Sequence, residues 1–564
     1  MKLDLIERPP TCPAHPAGSR ARVLLTSVFG PYAQDDEYGS RTINPMELYH
    51  NQVTRLQGPF SLRMFHRSWG IMLIQENISA PSTLLDFPDL NRFIEEIMTN
   101  RYDVVGISSI IPNVGKVRKM CQLVRQHLPE AVIVVGGHVA NLPDLTERID
   151  ADHVVRGEGV RWMRQYLGES VDRPIRHPRI LSGINARVMG VRVSSRPGDV
   201  AATLIPSVGC PIGCNFCSTS AMFGGKGCFV HFYETGDELY RVMCELERDL
   251  RVRSFFVMDE NFLLHRKRAL RLLELMKANA KGWSLYVFSS ANVLKKYTME
   301  QLVRLGISWV WMGLEGKDTG YAKLSGSDTL GLVSTLQSHG IRVLGSTIVG
   351  LESHTPENIG AAIDHAVAHN TDFHQFMLYT PIPGTPLHAK HHSDGTLLTT
   401  GEVDLADTHG QYRFNFRHWH IQNGQETDFL LQAFQRDFDV NGPSIARLAR
   451  TTLLGWRRYK NHPDRAVRER ITWESRDLAT TFSSALWAAR DWFRHNKKVS
   501  AAIARVLNDI YTEFGLKSRL VAPVVGRYLR FMMSREDRRL RNGKTYEPPT
   551  FREVAGASRR CIAT

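Results

Sequence analysis

The stretch Pro206-Ser-Val-Gly-Cys-Pro-Ile-Gly-Cys-Asn-Phe-Cys217 is the best guide to the fold. It holds three of the eight cysteines of this 564-residue chain. A disulfide framework suits a small secreted chain with evenly spread cysteines, so this cluster indicates metal binding. A structural zinc site needs a fourth ligand, which Cys228 could supply. Four-iron clusters normally take four cysteines, so three thiolates leave one iron open for a substrate or cofactor. The spacing favours an iron–sulfur cluster, with zinc as the alternative.

Downstream of these cysteines, short β-rich runs alternate with amphipathic segments as far as about residue 390. Such a rhythm predicts parallel βαβ units with buried strands. The predicted strands are Thr203–Val208, Ser254–Met258, Ser284–Ser289, Ser308–Gly313, Arg342–Val349 and Asp372–Leu378, and the helices between them are Asp237–Leu250, Lys267–Ala280, Met299–Leu305, Thr329–His339 and Pro356–His369.

Cys210, Cys214 and Cys217, with Phe216 before the last of them, resemble the cluster motif of radical S-adenosylmethionine (SAM) enzymes. The resemblance implies that these cysteines hold a [4Fe–4S] cluster whose open iron chelates SAM. Electron transfer then cleaves SAM to methionine and a 5′-deoxyadenosyl radical. The six βα units are those of the family's open (β/α)6 barrel, which performs its chemistry at the C-terminal strand ends.

Motifs at successive strand ends also resemble this family, and they imply a set of SAM-binding residues. Lys226 is a departure, since it stands where the family has the acid of a Gly-Gly-Glu segment. Asp259 begins the stretch Asp-Glu-Asn-Phe, which is similar to a motif of relatives that also bind cobalamin. Each motif alone could be a turn or a helix cap. The implied SAM-binding residues are Phe216, Gly224, Gly225, Glu260, Ser289, Glu315, Ile348 and Gly350.

An earlier α/β pattern ends its strands in Ser-Ser, Gly-Gly and Gly-Glu-Gly, and it predicts a doubly wound sheet that binds a ligand beyond the strand ends. Its predicted strands are Arg22–Ser27, Tyr102–Ser109, Ala131–His138 and Asp152–Gly159. The pattern resembles the cobalamin-binding domain of many radical SAM enzymes, although the Asp-x-His-x-x-Gly that supplies a lower cobalt ligand is missing. The implied cobalamin-binding residues are Ser108, Ser109, Gly136, Gly137, Gly157, Glu158 and Gly159.

Beyond residue 400 the βα rhythm gives way to helix-like stretches with apolar positions three and four residues apart. The chain's formal net charge is +14, and residues 441–545 alone hold 23 Lys and Arg against 9 Asp and Glu. The basic surface is either plain solvated surface or a contact for an acidic electron donor, an anionic membrane or nucleic acid. No RNA-binding motif accompanies it, which argues against nucleic acid.

These observations predict an α/β protein with an N-terminal Rossmann-like cobalamin-binding domain, a partial (β/α)6 radical SAM barrel and a C-terminal helical domain. The predicted boundaries are a tail at 1–19, the cobalamin domain at 20–170, a linker at 171–199, the barrel at 200–400 and the basic helical domain at 401–564. Without an apolar signal peptide or a long apolar run, the sequence predicts a cytoplasmic protein, peripheral to a membrane if the basic region docks there.

The resemblance implies C-methylation of an unactivated carbon through the 5′-deoxyadenosyl radical and methylcobalamin. The cofactors would be the [4Fe–4S] cluster, SAM and cobalamin, and a low-potential flavodoxin or ferredoxin would supply electrons. The substrate would be a small molecule, lipid or peptide. The alternatives are cyclisation, ring contraction or carbon–carbon coupling without methyl transfer and, from another class, a nucleic-acid-binding RNA-modifying protein.

Overall fold

The computed structural model describes residues 13–30, 53–60, 62–63, 67–182, 187–188, 191–192, 198–315, 328–422, 424–542 and 548–555. It contains two six-stranded sheets, each with helices packed against it, and a C-terminal set of helices. The predicted fold class is therefore confirmed. Part of the predicted tail at 1–19 and part of the predicted linker at 171–199 lie outside the described residues, and the domain boundaries stay predictions.

The N-terminal sheet has the strand order β17-β3-β1-β4-β5-β6, in which only β17 is antiparallel to its neighbour. Strands β1 and β3 are buried at every position, as expected of parallel strands covered on both faces by helices. Its parallel strands are β1 (Val23–Ser27), β3 (Ser82–Asp86), β4 (Val104–Ser108), β5 (Val132–Gly136) and β6 (His153–Val154), and its helices are α1 (Trp69–Asn77), α2 (Leu90–Thr99), α3 (Val114–His127), α4 (Leu145–Arg148) and α5 (Gly159–Tyr166).

Residues 551–554 add a strand to the region 401–564, which was predicted as a helical domain. Strand β17 (Phe551–Val554) pairs antiparallel with β3 of the N-terminal sheet, with Phe551 opposite Asp86. Arg552 fixes this strand through an ion pair of 2.8 Å with the carboxylate of Glu96. Because an edge strand offers unpaired backbone groups, β17 also covers an edge that would otherwise be open.

The barrel sheet runs β16-β15-β14-β13-β12-β9, all parallel and in chain order, as the βα rhythm predicts. Thr235 and Glu238 form a capping box that starts the first barrel helix, α7. The strands are β9 (Ala202–Leu204), β12 (Ser254–Val257), β13 (Ser284–Ser289), β14 (Ile307–Glu315), β15 (Arg342–Val349) and β16 (Phe373–Leu378), and the helices are α7 (Gly236–Leu250), α8 (Arg266–Ala278), α9 (Ala291–Leu294), α10 (Met299–Arg304), α11 (Thr329–Ser338) and α12 (Ile359–Ala368).

Smaller strands frame the cysteine-bearing loop and the segment before the barrel. Strand β10 (Ser207–Val208) pairs antiparallel with β11 (Val230–His231), and the cysteines lie in the loop between them together with helix α6 (Ser218–Met222). The structure therefore splits the predicted strand Thr203–Val208 into β9 and β10. Strands β2 (Leu62–Arg63), β7 (Arg187–Val188) and β8 (Val191–Arg192) form a separate three-stranded sheet.

The remaining helices follow the barrel: α13 (Pro386–Ser393), α14 (Gln425–Asn441), α15 (Ser444–Tyr459), α16 (Arg465–Ser475), α17 (Ser483–Trp492) and α18 (Lys497–Arg541). Helix α18 is kinked at Gly515 (φ 59°, ψ −138°). Helix α15 packs onto the barrel so closely that a Cβ at Gly455 would lie 2.7 Å from the Cα of Gly340. Among the described helices, none is long and apolar enough to cross a bilayer.

Candidate functional site

The three cysteines lie on one loop that is folded tightly against the glycine-rich segment after it. Gly213 has φ +68°, and a Cβ there would lie 2.5 Å from the Cα of Lys226. Cys217 caps helix α6, since its Sγ accepts a hydrogen bond of 3.4 Å from the amide of Ser220. The Ser220 hydroxyl donates to the carbonyl of Cys210 at 3.0 Å. The loop is thus held from both ends in one conformation.

The environment of the thiols suits a bound cation. Burial raises the pKa of the Cys210 thiol to about 12, and the nearby Cys217 and Cys214 raise it further. Burial likewise raises the pKa of Cys217. Since thiolates are the form that binds iron, binding must displace these protons, and the metal's charge offsets the burial of three thiolates. The residues therefore fit a [4Fe–4S] cluster.

The zinc alternative requires four side chains that converge on one ion. Within the described ranges, no group of three or more His, Cys, Asp or Glu side chains is placed to hold a single metal ion. The Cys228 thiol lies beside its own loop, 3.9 Å from the carbonyl oxygen of Lys226. A cubane cluster places each thiolate on a different iron. The three sulfurs therefore surround the cluster and do not need to meet at one ion.

Glu260 brings a buried carboxylate to the cysteine loop. Its Oε2 atom is buried without a hydrogen-bond partner, and the Gly209 amide donates to the carboxyl group. Burial, with the charge of Asp259 second, raises the pKa of Glu260 to about 8. An orphaned carboxylate oxygen beside the cluster loop fits an ammonium group such as the amino group of SAM, and Lys226 offers no such acceptor.

Of the other predicted SAM-binding residues, Ser289, Glu315, Ile348 and Gly350 lie at the carboxyl edge of the barrel sheet, whereas Phe216 lies in the cysteine loop and Gly224 and Gly225 follow α6. The Ser289 hydroxyl donates to Asn261 Oδ1 at 3.2 Å. Ile348 and Phe216 pack against the same apolar cluster, which joins β15 to the cysteine loop. Gly350, at φ +77°, leaves no room for a side chain, because a Cβ would lie 2.4 Å from the Phe414 ring. Glu315 ends β14, buried and with φ +51°.

Asp259 has a structural role next to this edge. Its carboxylate and the guanidinium of Arg268 form an ion pair of 2.6 Å in which both side chains are almost fully buried. The Ser207 hydroxyl of β10 donates to the same carboxylate. Asp259 thus ties the base of the cysteine loop to the end of β12 and to α8.

Arg268→Met should therefore destabilise the barrel by about 3–5 kcal/mol, because it leaves the Asp259 carboxylate buried without its partner. Denaturation of the anaerobic protein followed by tryptophan fluorescence measures this loss. The matched control is Arg271→Met, three residues further along α8, which breaks exposed ion pairs with Asp237 and Glu274. It should leave the unfolding midpoint nearly unchanged, and equal effects of the two substitutions would contradict this role.

The predicted cobalamin-binding residues meet at one cleft. Ser108, Gly136, Gly137, Gly157, Glu158 and Gly159 line it, and its empty space is about 790 Å³ including the part open to solvent. Ser109 lies directly behind Gly137, since a Cβ at Gly137 would lie 2.6 Å from the carbonyl oxygen of Ser109. Glu158 also caps α5, and its carboxylate accepts from the amides of Val160 and Arg161.

The opposite wall of this cleft comes from the barrel side. Val208, Met222, Phe223 and Phe232, which flank the cysteine loop in the sequence, line it together with the glycines of the N-terminal sheet. The cleft is mostly apolar, and its glycines let a large ligand approach the backbone closely. These residues fit the tail and ring of a corrinoid. The structure thus places the predicted cobalamin and cluster regions on two sides of one cavity.

Helix α1 is a wall of the cleft that sequence reasoning missed. Trp69, Gly70, Ile71, Leu73 and Ile74 line the cavity. Trp-Gly-Ile-Met-Leu-Ile is apolar in nearly every position, so it lacks the period of an amphipathic helix. The apolar run itself was the available signal, because a continuously apolar segment next to a sheet indicates a buried element.

His138, directly after Gly137, faces the helix that follows the cysteines. Its Nδ1 lies 3.5 Å from the Ser218 hydroxyl, and burial lowers its pKa. The neighbouring Asn141 amide donates to the Ser218 carbonyl at 3.1 Å. His138 therefore takes part in the interface between the N-terminal sheet and the barrel.

The inner face of the barrel is aromatic. Residues along each strand alternate, so Phe255 and Val257 pack outward against helices whereas Phe256 points inward. Phe288 stacks on Trp311 with ring centroids 5.1 Å apart. The Ser346 hydroxyl of β15 donates to Gln375 Oε1 of β16 at 2.8 Å, which adds a polar pair to the barrel.

Two family models match separate segments of this chain. Residues 77–167 match the family model of the B12 binding domain, and residues 204–366 match that of the radical SAM superfamily. An uncharacterized methyltransferase of Pyrococcus horikoshii is 25% identical over 355 residues, covering 56% of this chain and 74% of the relative. The hopanoid C-2 methylase of Rhodopseudomonas palustris is 24% identical over 350 residues, covering 58% and 62%.

Among solved structures, the radical S-adenosylmethionine methyltransferase TsrM of Kitasatospora setae, with cobalamin and a [4Fe–4S] cluster bound, is 15% identical with a TM-score of 0.46. The match covers 81% of this chain and 99% of that chain. Both family models fall where the sequence motifs place the two cofactor modules, in the same order along the chain.

Proposed function

We propose that this chain, which belongs to the cobalamin-binding radical SAM enzymes, transfers a methyl group from SAM to an unactivated carbon of its substrate. The single observation that carries the proposal is the shared cleft, with the glycines of the N-terminal sheet on one side and Met222 and Phe223 on the other. When bound, the cluster and SAM supply a radical that removes a hydrogen atom, and cobalamin supplies the methyl group.

The reaction has a definite balance. One carbon–hydrogen bond of the substrate breaks and one carbon–methyl bond forms. Two SAM molecules and two electrons are consumed, and the other products are methionine, 5′-deoxyadenosine and S-adenosylhomocysteine. A low-potential donor such as flavodoxin or ferredoxin would supply the electrons.

The chain's own residues would hold these reactants in place. The cysteines bind the cluster, and Glu260 offers its unpaired oxygen to the amino group of SAM. Gly209 keeps the cluster loop against the cavity wall, since a Cβ there would lie 2.9 Å from Cβ of Phe223. The apolar side chains that line most of the cleft offer few partners to water, and a bound cofactor would cover the open part, which would protect a radical from side reactions.

Methyl transfer is tested with SAM that carries a trideuterated methyl group. Anaerobically reconstituted enzyme, a low-potential reductant and a small-molecule extract should give a product heavier by one trideuteromethyl group. Consumption of SAM with a new product that carries no label would instead favour cyclisation, ring contraction or carbon–carbon coupling, and it would contradict the proposal.

Phe288→Ala should uncouple SAM cleavage from product formation. We expect the substrate to lie against the Phe288 and Trp311 rings, so removing one ring should lower labelled product about tenfold, whereas 5′-deoxyadenosine continues to form. Chromatography of both products measures the ratio. Tyr240→Ala is the matched control, because Tyr240 is a partly buried aromatic residue that packs on the outer side of the barrel. Equal ratios in both variants would place the substrate elsewhere.

A further inference from the structure

Helix α18 exposes bulky apolar side chains beyond its kink. Leu516, Leu520, Val524, Tyr528 and Phe531 are 76%, 67%, 67%, 57% and 65% exposed. They recur three or four residues apart, so they form one stripe along the helix. At 1.5 Å per residue the stripe is about 22 Å long. Continuous exposed apolar surface of this kind marks an interaction site.

Opposite the first part of the stripe, the face of α18 that packs against the protein carries small residues, and bulky Met533 is buried only further along. Ser518, Ala522 and Gly526 are buried at four-residue intervals. Gly526 allows the closest approach, since a Cβ there would lie 2.6 Å from the ring of Trp487. A helix that served only its own domain would bury its large apolar residues. Between residues 516 and 531, α18 turns the large side chains of the stripe outward, so this face is built for a second contact.

The charge around the stripe has one sign. No acidic residue occurs between Glu513 and Glu536, whereas Lys517, Arg519, Arg527, Arg530 and Arg535 do. Arg530 is engaged within the domain, because it pairs with Asp491 at 3.0 Å. Lys517 and Arg535 are exposed and fall on the same side of the helix as the stripe.

We propose that the outer face of α18, defined by Leu516, Leu520, Val524, Tyr528 and Phe531 with Lys517 and Arg535, docks the enzyme on an anionic lipid surface. An interfacial helix buries its apolar side chains at the headgroup boundary while its cations attract acidic lipids. Tyr528 has the amphipathic ring that favours this boundary.

Two other occupants fit less well. A second copy that docked through the same face would bring Lys517, Arg527 and Arg535 of both chains together, and like charges repel. An acidic protein would pair with the cations but would not by itself account for a stripe of large apolar side chains. The inference rests on α18 alone, so it stands or falls separately from methyl transfer.

Flotation of the full-length protein with vesicles tests the proposal without SAM or turnover. Vesicles of phosphatidylcholine with phosphatidylserine should bind it, vesicles of phosphatidylcholine alone should bind it far less, and added salt should weaken binding. The double variant L520Q/F531Q should lower the partition coefficient at least about tenfold. The variant K517Q/R535Q should lower it about twenty-five-fold, since each of the two cations near an acidic surface contributes about fivefold.

Met98→Gln is the matched control, because Met98 is 63% exposed on α2, away from α18. It should bind as the unmodified protein does, and circular dichroism checks that all variants are folded. Absence of binding, or binding that L520Q/F531Q leaves unchanged, would overturn the proposal. A concentration-dependent dimer in sedimentation that L520Q/F531Q abolishes would assign the face to a second copy and overturn it as well.

Discussion

Replacing any one of Cys210, Cys214 and Cys217 by alanine should reduce reductive cleavage of SAM below about a thousandth of the unmodified rate. A cubane with only two protein thiolates exposes a second iron, and the cluster is then lost or fails to present a single open iron to SAM. Burial raises the pKa of Cys210 and of Cys217, so the remaining thiols would return to their neutral form in the absence of metal. Iron content and 5′-deoxyadenosine formation under a low-potential reductant measure both effects.

Cys228→Ala is the control for this prediction. Cys228 lies close to the glycine-rich segment that follows the cysteine loop, since its Sγ is 3.1 Å from where a Cβ of Gly224 would be. In the iron–sulfur interpretation it is not a ligand, so its alanine variant should keep its iron and its activity. A loss of metal in Cys228→Ala equal to that in the other three variants would mean a four-thiolate site, and it would contradict the assignment of an open iron.

The barrel was predictable because its strands are buried on both faces. Ser284–Ser289 and Arg342–Val349 agree with the structure residue for residue, since their apolar runs are bounded by helix caps and turns. The cysteine loop was predictable from its spacing together with the βα units that follow it. The glycines and serines implied for cobalamin come together because carboxyl ends of parallel strands share one edge of a sheet.

Long-range contacts were not predictable in the same way. Nothing local to Phe551–Val554 shows that it pairs with a strand more than 400 residues earlier, since register depends on a partner the segment does not contain. The role of Asp259 likewise depends on Arg268 from the next helix. The exposed stripe of α18 was not predictable either. The apolar period of a helix reveals an apolar face, but it does not show which face the domain covers.

Gly136→Trp should lower cobalamin binding by more than about a hundredfold. Gly136 ends β5 and lines the cleft, so an indole there would occupy the space that the cofactor needs. The cysteines belong to a different sheet and loop, so the variant should keep its iron and its cleavage of SAM. Absorbance of cobalamin retained after equilibrium dialysis measures the loss.

Gly136 is a better position for this test than the neighbouring Gly137. Gly137 has φ +82°, and a Cβ there would lie 2.6 Å from a backbone carbonyl, so any substitution would distort the strand end whether or not cobalamin binds. At Gly136 a Cβ would lie 3.7 Å from the nearest atom, the Val155 carbonyl oxygen, which is ordinary contact. Gly136→Ala should therefore bind cobalamin normally, and only the larger side chain should exclude it. If the tryptophan variant retains cobalamin, the cofactor lies outside this cleft, and the shared cavity on which methyl transfer rests loses its support.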